Sequence, residues 1–127
     1  MKGKPDMGKI IQKARLQNSG DMAAVLAGKM KPGKVRALDV ELLVDTGAAM
    51  LCLTPKVIET LGLHKLHERD AITGNGMVKR AVYEPVRLEV QGRYGNFDVV
   101  DIGENVPNLL GQIPLEYLDF VVDSKNR

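Results

Sequence analysis

The chain has 127 residues, of which 44% are apolar and 27% charged, enough to bury one modest core and too apolar for a disordered chain. Eighteen basic against sixteen acidic residues leave a net charge of +2, too balanced for a nucleic-acid protein on charge alone. A 4% aromatic content without Trp gives no stacking platform for single strands, and one cysteine excludes a disulfide scaffold.

No apolar run approaches the length of a membrane span, and the polar start Met1–Asp6 carries no signal-peptide core. The single Cys52 fits a reducing compartment. The expected location is therefore the cytoplasm, with neither membrane nor nucleic acid as partner.

Residues 1–8 read as a flexible lead-in, 9–122 as the folded domain and 123–127 as a polar tail. Lys9 to Gln17 reads as a strand, Asn18-Ser19-Gly20-Asp21 as a turn, and Met22 to Leu26 as a short returning strand. The basic stretch from Lys29 to Lys34 contains Pro32-Gly33, a turn pair, and reads as an exposed connection. Leu38, Val40, Leu42 and Val44 then alternate along a half-buried strand that ends at Asp45-Thr46-Gly47. After the apolar run Met50–Leu53, Thr54-Pro55 predicts the start of a helix. Val57, Ile58 and Leu61 lie on one of its faces, and Gly62 ends it.

The polar segment 63–80 has a hairpin tip at Thr73-Gly74-Asn75-Gly76. Strands follow over Val82–Val90 and Tyr94–Ile102, joined at Gln91-Gly92-Arg93. Beyond Val106-Pro107-Asn108 come Leu109-Leu110-Gly111, a short helix from Pro114 to Leu118, and a final strand Phe120–Val122. Many short strands joined by turns, with two short helices, predict a mostly β, mostly antiparallel barrel or sandwich.

The segment that could carry chemistry is Leu42-Leu43-Val44-Asp45-Thr46-Gly47-Ala48. A carboxylate follows buried strand residues, where an unpaired charge is costly. Gly47 permits a tight turn and close backbone approach, and the Thr46 hydroxyl can brace the loop. The alternative is a plain strand-ending turn, in which Asp and Gly are common. With nine Asp, four Thr and 13 Gly, the triplet arises by chance at roughly 3%. The triplet alone leaves both readings open.

Two further segments accompany it, and together the three resemble retropepsin-like aspartic proteases, the single-domain family that includes the retroviral enzymes. Leu43-Val44-Asp45-Thr46-Gly47-Ala48 is similar to the family's catalytic loop, and Thr73-Gly74-Asn75-Gly76 falls where the family has its flap. Leu109-Leu110-Gly111, followed by a short helix, is similar to the segment behind the catalytic loop. The resemblance spans about residues 9–122, and Leu61-Gly62-Leu63 and Ile113-Pro114-Leu115-Glu116 bring it closer to the bacterial members than to the viral ones. Three departures stand out: Ala49, where many relatives carry Ser, Thr or Asp; Gln112, where viral members carry Arg; and a first stretch of 30 residues unlike the viral N-terminal strand.

The resemblance implies a closed β barrel and an aspartic endopeptidase that needs no metal and no organic cofactor. Its substrate would be a polypeptide bound in extended form. Asp45 would be catalytic, Thr46, Gly47 and Ala48 would support its loop, residues 73–76 would close over substrate, and Leu109–Gly111 would back the site. The chemistry needs two carboxylates, one as general base on water and one as general acid; so close together, both cannot ionise. With one Asp-Thr-Gly in the sequence, the resemblance implies a homodimer in which each subunit supplies Asp45. The rival is a non-catalytic module of the same fold that binds a peptide or protein partner.

Other residues read more plainly. His64 and His67, with Glu68 and Asp70 nearby, lack a matched ligand set and read as solvated. Cys52 between Leu51 and Leu53 reads as a buried structural thiol.

Overall fold

A computed structural model describes residues 4–6 and 9–122. The polar tail 123–127 and the remainder of the lead-in lie outside the described residues. The strands are β1 (Lys4–Asp6), β2 (Lys9–Asn18), β3 (Ala37–Val44), β4 (Leu51–Leu53), β5 (Lys65–Thr73), β6 (Gly76–Val90), β7 (Arg93–Asp101) and β8 (Leu109–Leu110). The helices are α1 (Ser19–Leu26), α2 (Pro55–Thr60) and α3 (Gln112–Tyr117), with a 3-10 turn over Pro32–Lys34.

The protein is mostly β, in one mixed sheet. β2 pairs antiparallel with β3, which pairs parallel with β8; β8 pairs antiparallel with β4, and β4 parallel with β7. β7 pairs antiparallel with β6, and β6 pairs in turn with β5 and, through Arg15↔Glu89 to Asn18↔Val86, with β2. The ladders therefore run from β2 round six strands and back to β2. β1 and β5 are attached outside that ring, so Lys4–Asp6 of the expected lead-in are paired backbone, opposite Lys9–Ile11.

The alternation read in the sequence is the alternation of burial. Ile10, Gln12, Ala14, Leu16 and Asn18 are buried along β2, and Val82, Val86, Leu88 and Val90 along β6. The apolar ones among these, together with Leu42, Leu51, Leu53, Val99, Leu110 and Leu115, build the core. Each such aliphatic side chain contributes about 1.5–3 kcal/mol by leaving water. In β6 the register shifts between Tyr83 and Val86. Pro85 lies there, without an N–H for the ladder.

Three expectations need correction. Met22–Leu26 is not a returning strand but the body of α1, so the helices number three among the described residues. The cause is polar anchoring: the Asn18 side chain accepts the Asp21 N–H at 3.0 Å, capping the helix. The buried Asp21 carboxylate accepts from Arg36 Nε and Nη2, both at 2.9 Å, and from the Arg36 N–H at 3.0 Å. Asn18 Nδ2 also donates to the Leu61 carbonyl at 2.8 Å. Gly62, at φ +65°, lies beneath the Arg36 guanidinium, where any Cβ would collide.

Phe120–Val122 is not a strand. The Phe120 N–H donates back to Leu115 at 2.9 Å, and its ring lies 4.4 Å below the Arg93 guanidinium. Thr54 precedes α2 as expected but makes no side-chain cap; its N–H donates to Asn108 Oδ1 at 2.9 Å.

Candidate active site

β3 brings Asp45 to the end of a buried ladder, and backbone bonds then fold the chain tightly. The Asp45 N–H donates to the Leu110 carbonyl at 3.0 Å, and the Ala48 N–H to the Asp45 carbonyl at 3.1 Å. Asp45 Oδ1 accepts the Gly47 N–H at 2.9 Å. Asp45 is half-buried, and Thr46 and Gly47 are exposed. Among the described residues Oδ2 has no hydrogen-bond partner, so that oxygen is available to a ligand.

The loop rests on the segment 109–113. The N–H groups of Gln112 and Ile113 donate to the carbonyls of Ala48 and Ala49, both at 2.8 Å. These are first-turn donors that lack partners inside any helix. At Gly111 a Cβ would strike the Met50 carbonyl oxygen and come within 2.8 Å of the Ala48 oxygen, so only glycine lets the two segments approach this closely. The Leu43 N–H adds a bond to the Asn108 carbonyl at 2.8 Å. The physical role of Leu-Leu-Gly is thus a buried strand followed by a side-chain-free contact.

In front of Asp45 lies a cavity of about 700 Å³. Asp45, Gly47, Ala48, Ala49, Met50 and Cys52 form one wall. The β5–β6 hairpin contributes Arg69–Thr73 and Arg80, and Val100, Ile102 and Leu109 complete the lining. Of the residues singled out in the sequence, Asp45, Gly47, Ala48, Thr73 and Leu109 thus meet in one cavity. Thr46, Gly74, Asn75, Gly76, Leu110 and Gly111 are not among its lining residues. Gly74-Asn75 form the two-residue turn between β5 and β6. Thr73 Oγ1 braces it, accepting the Asn75 N–H at 3.2 Å and donating to the Gly76 carbonyl at 2.8 Å. Leu110 is fully buried behind the loop.

The sequence reading missed Arg69 and Arg80. The signal was present: a turn at Gly74-Asn75 pairs Thr73 with Gly76, and counting back along both strands sets Arg69 opposite Arg80. Cys52 lines the cavity, yet burial pushes its thiol up to about 11, with the Asp45 charge adding and Arg80 opposing. It is a protonated thiol donating to the Met50 carbonyl at 3.5 Å, not a nucleophile. His64 Nδ1 lies 2.8 Å from Glu84 Oε1, and His64 and His67 are both exposed. Gln112 uses its side chain within α3, donating to Glu116 at 2.8 Å.

A carboxylate with one free oxygen, on a braced loop at the edge of a largely apolar cavity, can orient a water or a polar ligand group. The chain finds no match among curated proteins. The family model described as aspartyl protease matches residues 31–112, about two-thirds of the 127 residues, and the matched span takes in the Asp45 loop, the hairpin and Leu109–Gly111. The chain belongs to the aspartyl protease family.

Proposed function

We propose that the chain is an aspartic endopeptidase of the retropepsin-like type, nearest the bacterial members, that hydrolyses peptide bonds as a homodimer. Asp45 from each subunit holds the attacking water. One carboxylate takes its proton while the other protonates the leaving side, and the two share a single proton at rest. Thr46 hydrogen-bonds across the subunit boundary, and Gly47 and Ala48 keep the loop narrow. The hairpin tip, residues 73–76, closes over the peptide and excludes water. The peptide lies extended, held by main-chain bonds with its side chains alternating between pockets.

The observation that carries this reading is the position of Asp45. Its free carboxylate oxygen sits on the wall of a cavity that the β5–β6 hairpin walls on another side. The dimer follows from the chemistry, which asks for two such carboxylates where the sequence offers one Asp-Thr-Gly. The experiment is a digest of a peptide library by wild type and by Asp45→Asn, with products identified by mass spectrometry. New internal cleavages made by the wild type and absent from the variant support the reading; equal product patterns overturn it.

A further inference from the structure

The β5–β6 hairpin carries two neighbouring cross-strand pairs of opposite character. Asp70 stands opposite Lys79, and their side chains form an ion pair at 3.5 Å. One position along, Arg69 stands opposite Arg80. Like charges directly opposed repel and weaken a hairpin. Among the described residues neither arginine has a carboxylate within ion-pair distance. Arg80 is half-buried, where an uncompensated guanidinium loses hydration. Arg69 Nη1 instead reaches the thioether of Met50 at 2.8 Å, beside the Asp45 loop, a contact that neutralises nothing.

Both arginines line the cavity that holds Asp45. Asp70 lines it too, but its charge is already met by Lys79. Cys52 lines the same cavity, and the Arg80 charge opposes the rise of its thiol. Two fork-shaped sets of donors, whose one internal acceptor among the described residues is the weak Met50 thioether, suit a planar anion. Resting on the peptidase reading, we infer that Arg69 and Arg80 form a subsite selecting a carboxylate side chain, Glu or Asp, on the peptide that crosses the cavity. The local repulsion is relieved when that side chain arrives between them.

The test uses the full chain carrying Asp45→Asn and a library of random short peptides with amidated C-termini. Retained peptides are sequenced by mass spectrometry, and the wild type is run on the same library for cleavage. We expect Glu and Asp to be enriched about tenfold over Gln and Asn at one fixed position. The enrichment falls to about unity when Arg69→Gln and Arg80→Gln are added, and it shrinks with salt. Thermal unfolding of the arginine variants stays level or rises, since a like-charge pair is removed.

Absence of acidic enrichment, absence of retention, or enrichment that survives both arginine substitutions overturns the subsite. So does enrichment found only in a parallel library with free C-termini and confined to the terminus, which assigns the arginines to a chain end. The two readings fail separately. Arginine-dependent retention by Asp45→Asn without wild-type cleavage keeps the subsite and removes the peptidase. Cleavage without acidic preference does the reverse.

Discussion

The backbone N–H of Gln112 donates to the carbonyl of Ala48 at 2.8 Å, so α3 begins directly on the loop that carries Asp45. The contact exists because Gly111, just before it, has no side chain. Gly111→Ala therefore forces apart two stretches of backbone rather than a flexible side chain. We predict a loss of about 1–3 kcal/mol in unfolding free energy. Activity falls further, by about 10²-fold, because a loop displaced by about 1 Å misplaces Asp45. Denaturant unfolding and steady-state kinetics on the same preparation check this. A Gly111→Ala protein with wild-type stability would show that the close approach is not needed.

Asp21 and Arg36 give the fold a definable acid sensitivity. The hydrogen-bonded Arg36 guanidinium holds the Asp21 carboxyl below its ordinary 3.8, against the opposing effect of burial. A depressed carboxyl stabilises the fold above its unfolded value, and the contribution is lost as pH falls through the folded value. Asp21→Asn is predicted to cost about 1–3 kcal/mol at neutral pH. That difference from wild type narrows as pH drops below about 4. Urea unfolding of both proteins from pH 2 to pH 7 reads it. A gap that stays constant with pH would remove the pair from the acid response.

Cys52 is predicted to resist alkylation in the folded protein. With its thiol pushed up to about 11, the thiolate fraction at pH 8 is about one in a thousand. Iodoacetamide labelling at that pH is slow until denaturant is added. Because the raised value favours the neutral thiol, its stabilising effect is complete below the unfolded value of about 8.5 and is lost as pH rises towards 11. Rapid labelling of the native protein would contradict this account.

Much of the site was legible because its signals are local. Asp45-Thr46-Gly47 sits at the end of an alternating strand, and Leu109-Leu110-Gly111 needs a glycine for one contact. The turn at Gly74-Asn75 was legible for the same reason. The misreadings depend mainly on distant partners, although Asn18 caps α1 locally. α1 is fixed by Arg36 reaching back to Asp21, and no local pattern announces that pair. Phe120–Val122 has the β-branched and aromatic composition of a strand, but among the described residues it enters no ladder. Its phenyl ring lies instead against Arg93. The Arg69–Arg80 opposition lay in the hairpin count but carries meaning only beside the cavity.

If each active unit needs two copies of Asp45, specific activity falls on dilution, and sedimentation shows a two-chain species at working concentration. Thr46→Ala weakens association by roughly 1 kcal/mol for each cross-subunit hydrogen bond lost. Activity recovered by raising the variant's concentration would fit a dimer effect. Specific activity that is constant down to a monomeric concentration would contradict it.

One substitution separates an Asp45 that does the chemistry from one that is merely a turn residue. Asp45→Asn keeps the size of the side chain and the oxygen that accepts the Gly47 N–H. It removes the carboxylate that, in the proposed mechanism, takes a proton from water. The decisive measurement is the hydrolysis rate of wild type and Asp45→Asn on one peptide substrate, paired with the Tm of each. The Asp45→Asn rate is expected to be lower by several orders of magnitude, with Tm unchanged or raised. An Asp45→Asn protein that cleaves at the wild-type rate would contradict it.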